Sequence, residues 1–291
     1  MLRRGPGLLP GGGRCGAGRS VLVVVIGQAR EAAGGAVGEA GRTPHVEGDE
    51  DGQRRDHVHG ALVQVGEQQS EGQGRERLKG GGYLAAGTVI EVGDGVEDRA
   101  VGDRVVTLNP AGSHASKRAV PATSSWPIPG GLDAAAAACV PVAFGTAQEC
   151  LFTAGNLNAG QTALIHAGAG GVGMAAIQLA KQAGATVIST ASSQNKLERL
   201  TELGLDHGIN YAREDFVSRV RELTDGRGVD VILDSIGGEN LVKSIRALAY
   251  RGTLISVGVA GRAGSDVAAT DLWQNNNALR GVYLAGALVA E

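Results

Sequence analysis

Gly168, Gly170 and Gly173 stand in the spacing G-x-G-x-x-G within "TALIHAGAGGVGMAAIQLAKQAG". The spacing alone is weak. Here it follows a short apolar run of strand character and opens a helical pattern, which is the context in which such a loop takes the pyrophosphate of a dinucleotide. Gly168 would make the tight turn, Gly170 would let backbone approach the pyrophosphate, and Gly173 would let the helix pack close to the strand. The phosphates would meet the N–H groups and the positive dipole end of the helix.

A dinucleotide site that reads the ribose 2′-hydroxyl expects a carboxylate about 20 residues on, at the end of the next strand. That region is "STASSQNK", with Thr190, Ala191, Ser192, Ser193 and Lys196. Hydroxyls and an ammonium suit a 2′-phosphate, which a carboxylate would repel. The missing acid therefore favours NADP over NAD. Ser193 also has the position of a helix cap, a role compatible with the first. His166, just before the loop, reads as a structural residue at the sheet edge, with general base as the alternative. A serine hydrolase is excluded by the lack of a G-x-S-x-G elbow.

These residues need elements to hold them. From Thr162 the pattern alternates strand and helix: "TALIHA", then "GVGMAAIQLAKQAG" with Met174, Ile177 and Leu179 as its apolar side, "TVIST", "NKLERLTELG", "DHGIN", "EDFVSRVRELTDG", "VDVILDS", helix "NLVKSIRALAYRG", "TLISVG" and "LRGVYL". Such alternation predicts a parallel sheet with helices on both faces. Upstream, "YLAAGTVIEVGDGVEDRAVGDRVVTL" predicts two antiparallel strands, with Asp103 as a turn residue bonding its own backbone. "PATSSWPIPGG" reads as a linker, and "LDAAAAACVPVAFGTAQECLF" as two helical stretches broken at Pro141.

Residues 1–82 differ from the rest. They contain no Phe, Tyr or Trp, and "EGDEDGQRRDHVHG" shows neither period. The segment reads as mostly disordered, with a short strand at "VLVVVI". His57 and His59 read as part of a solvated charge run, not a metal site. The 291-residue chain has a net charge of −3 and no basic stripe, which argues against nucleic acid. No apolar run approaches the ~20 residues of a membrane span. Cys15, Cys139 and Cys150 form no C-x-x-C pair, which fits a reduced, cytoplasmic protein without structural metal.

Residues from about 83 to 284 resemble the zinc-independent quinone oxidoreductase branch of the medium-chain dehydrogenase/reductase superfamily. The motifs that carry this are "AAGTVIEVGDGVEDRAVGDRVV", "VAFGTAQECL", "HAGAGGVG", "TASSQNKLE", "GINY", "DSIGG" and "ISVGVAG". The resemblance implies an α/β fold in three parts: an unmatched 1–82, a partial GroES-like β-domain at 83–128, and a doubly wound Rossmann domain at 129–291 with a cleft between the two domains. It implies NADP(H) as cofactor and hydride transfer to a quinone or an α,β-unsaturated carbonyl. Thr146 is implied near the nicotinamide. Gly168, Ala169, Gly170, Gly171, Val172 and Gly173 are implied at the pyrophosphate. Ser192, Ser193, Lys196 and Tyr211 are implied at the 2′-phosphate side, and Ser235, Val257 and Gly258 at the nicotinamide ribose. No catalytic residue stands out.

Zinc alcohol dehydrogenases carry a cysteine ligand where this chain has Val142, so a metal is not implied. Residues 1–82 hold nothing like the family's opening segment and read as an out-of-frame or mis-joined start. The chain ends at Glu291, before the family's closing helix and strand. The alternative function is therefore an NADPH-binding protein without turnover. The strand at 279–284 implies a homodimer by edge pairing.

Overall fold

The structure, a computed structural model, describes the backbone of Val21–Val25 and residues 83–109, 112–262 and 264–284. Apart from that one strand, the disorder expected for residues 1–82 lies outside the described residues, as do His57, His59 and Cys15. The described residues fall into two units that divide between Gly130 and Gly131.

The first unit is a five-stranded antiparallel sheet in the order β4-β1-β2-β3-β5. Its strands are β1 (Val21–Val25), β2 (Leu84–Val92), β3 (Arg104–Leu108), β4 (Lys117–Pro121) and β5 (Ser125–Pro127). The two predicted strands pair from Leu84↔Leu108 to Thr88↔Arg104. Asp103 accepts the Ala100 N–H at 2.8 Å, the turn bond expected of it. The expected linker is instead structure: Ser125–Pro127 pairs with β3, placing Trp126 opposite Val106. Prolines are tolerated there because β5 is an edge strand. Val89, Val105, Val120 and Ala122 form a small core.

The second unit begins with α1 (Ala134–Gln148), capped by Asp133, which accepts the Ala135 and Ala136 N–H groups. The expected break at Pro141 is absent. Proline removes one backbone donor from the ladder, and burial of Ala137, Thr146 and Ala147 holds the helix together across it. The helix then widens into a π-turn segment, Glu149–Ala154. Together, Ala134–Ala154 is long and apolar enough to cross a membrane by length and composition, contrary to the expectation that no run has that length. Its residues Ala147, Cys150 and Leu151 lie in the core of this unit.

Six parallel strands follow in the order β11-β10-β9-β6-β7-β8. They are β6 (Thr162–Ile165), β7 (Thr186–Ala191), β8 (His207–Asn210), β9 (Val229–Asp234), β10 (Leu248–Ser256) and β11 (Ala278–Gly281). Between them run α2 (Gly171–Gln182), α3 (Gln194–Thr201), α4 (Phe216–Leu223), α5 (Glu239–Ile245) and α6 (Ala269–Trp273). The central strands carry apolar residues on both faces because both faces are covered. Ala163, Ile165, Val187, Val231 and Leu233 face the core that holds α1 and α2. Their alternates Leu164, Ile188 and Ile232 face the core of α4 and α5.

On α2 the buried residues are Gly173, Ala175, Ala176, Ile177 and Ala180. Met174 and Leu179, expected on the inner side, are half-buried. Small residues there let the helix lie close to the sheet. The predicted helix over "NLVKSIRALAYRG" stops at Ile245 instead, because Val229 N–H bonds Ala247 O at 2.9 Å and Leu248 pairs with Val229. Strand pairing overrides the helical period there.

Candidate functional site

Because the strands are parallel, the ends of β6, β7, β9 and β10 share one edge of the sheet. The chain winds from β6 through β7 to β8 on one side, then returns to β9 on the other side of β6. The gap between the two directions is the position where open α/β sheets bind ligands.

The glycine loop leaves β6 at this gap. Each glycine has an observable reason. A Cβ on Gly168 would run into Ser189 Oγ of β7, which is buried and bonded to Ile165 O at 2.7 Å. A Cβ on Gly170 would lie 3.2 Å from Ala167 O. A Cβ on Gly173 would strike Ala167 O and lie 2.7 Å from Gly168 Cα. The tight turn is made by Ala167, at φ 53°, and not by Gly168 as the spacing predicts. Gly171 has nothing within 4 Å of its added Cβ. No side chain caps α2. The first N–H groups of a helix lack intrahelical partners, so those of Gly171, Val172 and Gly173 are presented at the edge beside Ala169 and Gly170.

At the end of β7, Lys196 Nζ donates to Ser192 Oγ at 3.2 Å. Ser193 caps α3 by accepting Lys196 N–H at 3.4 Å, so the capping role holds in the structure. Tyr211 joins this group through its backbone, its N–H reaching Ala191 O at 3.2 Å. Its ring is 52% exposed. No carboxylate stands at the end of β7, where a 2′-hydroxyl reader would have one.

On the far side of the gap, Ser235, Val257 and Gly258 come together. Ser235 O lies 2.9 Å from where a Gly258 Cβ would be, and Val257 N–H donates to Asp234 O at 2.9 Å. Asp234, at the end of β9, accepts N–H groups of Ile236 at 2.6 Å and Gly237 at 3.1 Å, which folds the loop after β9 back on itself. The motif "DSIGG" marks this aspartate without giving it a role; Asp with Gly-Gly three residues on is the pattern of a side chain capping its own turn. Thr146 is buried on α1. It stands one turn from Val142, and α1 packs on the same core as Val172 and Val257. No hydrogen bond ties Thr146 to the loops at the strand ends.

His166 is 1% exposed, with Nδ1 3.1 Å from Thr190 Oγ1 and Nε2 2.9 Å from Ser244 Oγ. Phe216 packs edge-on against the ring, centroids 4.8 Å apart. Burial pushes its pKa down to about 4, against a weaker opposite pull from Asp234. Both nitrogens are committed and the ring is closed off, which leaves no role as a general base.

Among the described residues, no group of three His, Cys, Asp or Glu side chains could hold a metal ion. On α1, Val142 stands one turn before Thr146.

Residues 171–290 match the sequence family described as zinc-binding dehydrogenase. The chain is 42% identical over 182 residues to a 2-haloacrylate reductase of Burkholderia sp, covering 62% of this chain and 55% of that one. Among solved structures it is similar to a quinone oxidoreductase of Pseudomonas syringae pv. Tomato DC3000, at 33% identity and TM-score 0.66, with 70% of this chain and 64% of that one covered. The Escherichia coli quinone oxidoreductase, solved in complex with NADPH, matches at the same identity, TM-score and coverage. The chain thus spans a little over half the length of the reductase it matches and under two thirds of the quinone oxidoreductases. The glycine loop, the strand-end clusters and these likenesses together make the chain similar, over the part they cover, to quinone oxidoreductases and to a 2-haloacrylate reductase.

Proposed function

We propose that the second unit binds NADP(H) and that the protein is an NADPH-dependent oxidoreductase that reduces a quinone or an α,β-unsaturated carbonyl. The observation that carries this is the acid-free end of β7, where Ser192 and Lys196 meet 3.2 Å apart beside the glycine loop. In this reading the helix N–H groups of Gly171 to Gly173 take the pyrophosphate, and Lys196, Ser192, Ser193 and Tyr211 surround the 2′-phosphate. Ser235, Val257 and Gly258 orient the nicotinamide ribose, with Thr146 on the α1 side. The bound cofactor supplies the hydride. The protein's share is orientation and exclusion of water.

Val142, where zinc alcohol dehydrogenases carry a cysteine ligand, supports a zinc-independent reaction. The 2-haloacrylate reductase and quinone oxidoreductases among the relatives support a small-molecule substrate; a cytoplasmic site of action is part of the same reading. Strand β11, the outer strand of the six-stranded sheet, offers its free edge to a second copy of the chain; it spans Ala278–Gly281, shorter than the expected 279–284.

Replacing Lys196 by Glu is expected to weaken NADPH binding by about 100-fold and to change NADH binding by less than about threefold, because a carboxylate repels the phosphate but not a hydroxyl. Calorimetric titration of the wild type and the Lys196→Glu variant with both nucleotides checks this. Turnover is read as loss of NADPH absorbance on addition of a quinone or an enone. NADPH bound without any acceptor-dependent oxidation would remove the hydride-transfer part of the reading and leave a nucleotide-binding protein.

A further inference from the structure

His166 is the buried titratable group that the proposed reaction leaves unused, yet its bonds connect the two halves of the site. Ser244 on α5 donates its hydroxyl proton to Asn240 O at 2.7 Å. It can therefore only accept from the imidazole, which puts the ring proton on Nε2. Nδ1 is then a lone pair, and it accepts the Thr190 hydroxyl at 3.1 Å. Thr190 Oγ1 in turn accepts the N–H of Ala167 at 3.3 Å. Ala167 is the left-handed residue that begins the glycine loop, a conformation disfavoured for an alanine unless something holds it.

On the other side, Asn240 Nδ2 donates to Asp234 Oδ2 at 3.1 Å. The other oxygen of that carboxylate holds the loop of Ile236 and Gly237. One chain of bonds thus runs from the loop after β6 to the loop after β9, across the gap where the strand order reverses. Imidazole suits the middle of it, since one rigid ring presents an acceptor and a donor on opposite edges.

We propose that His166 is a positioning residue that fixes the glycine loop and the Ser235–Gly237 loop in one register before the nucleotide arrives. The inference rests on the nucleotide reading above. Loops held in place beforehand lose less freedom on binding, so the ring contributes to affinity without touching the ligand.

The test is a set of full-length variants titrated with NADPH by calorimetry, with each melting temperature recorded: Thr190→Val, Ser244→Ala, the double variant, and His166→Asn with and without Ser244→Ala. Each single variant is expected to weaken NADPH by about fivefold. The double variant is expected to lose about the same, not the product, because Thr190 and Ser244 act through one ring. Ser244→Ala is expected to add nothing once His166 is Asn. Lowered melting temperatures with unchanged NADPH affinity of the folded protein would make His166 merely structural and overturn the inference. Multiplying single effects would overturn it as well. A wild-type chain that binds no NADPH would instead remove the nucleotide reading itself.

Discussion

Gly173→Ala is expected to weaken NADPH binding by at least about 100-fold, roughly 2.7 kcal/mol, and to lower the melting temperature by several degrees. The direction runs against local preference. Alanine is the better helix former by about 1 kcal/mol, and Gly173 lies inside α2. The added methyl, however, meets only backbone: Ala167 O, Gly168 Cα at 2.7 Å and Gly168 O at 2.8 Å. No flexible side chain can move aside, so either α2 lifts from the sheet or the loop opens, and both displace the N–H groups offered to the phosphates. Gly171→Ala is the control. It sits at the start of the same helix with open space at its Cβ, and its fold and melting temperature are expected to stay close to wild type. Near-normal NADPH binding by Gly173→Ala would refute the close packing of loop and helix.

Acid is expected to destabilise the protein in two separate windows, and the upper one belongs to His166. In the unfolded chain this residue takes up its proton as the pH falls through about 6.5; in the native chain burial holds the ring neutral down to about 4. Between those values the unfolded state binds more protons, so stability falls as the pH falls and is unaffected above the unfolded value. The loss amounts to about 3 kcal/mol once the pH has reached the native value. Asp206, Asp215 and Asp230 have native pKa values below the ordinary carboxylate value. Their contributions are present above that value and are lost only at lower pH. Urea midpoints measured from pH 7.5 to 4 are expected to drop for the wild type and to stay nearly flat for His166→Gln until the carboxylates begin to titrate. Equal slopes in both proteins would show that the ring is not held neutral.

The parts of this fold that the chain displays openly are those governed by neighbours in sequence. The runs Thr162–Ile165 and Val229–Asp234 are mostly apolar because both of their faces are covered. Gly184 and Gly204, at φ 80° and 102°, end their helices where the pattern says they should. The glycine loop was readable for the same reason, since its spacing is a local steric requirement. What stayed hidden depended on distant partners. Pro141 sits in an unbroken helix that is held by burial one turn and more away, at Ala137, Thr146 and Ala147. Leu248 leaves the helical pattern because Val229 claims it. The turn at the glycine loop belongs to Ala167, which no glycine rule indicates. His166 finds Thr190 and Ser244 at separations of 24 and 78 residues, and nothing near it in sequence announces either.

The measurement that tests the central claim most directly is calorimetric titration of the purified full-length chain with NADPH and, separately, with NADH. Binding of NADPH at least about 30-fold tighter than NADH, about 2 kcal/mol, is the result expected if Lys196 and Ser192 receive the 2′-phosphate. Equal affinity for the two, or tighter binding of NADH, would contradict it.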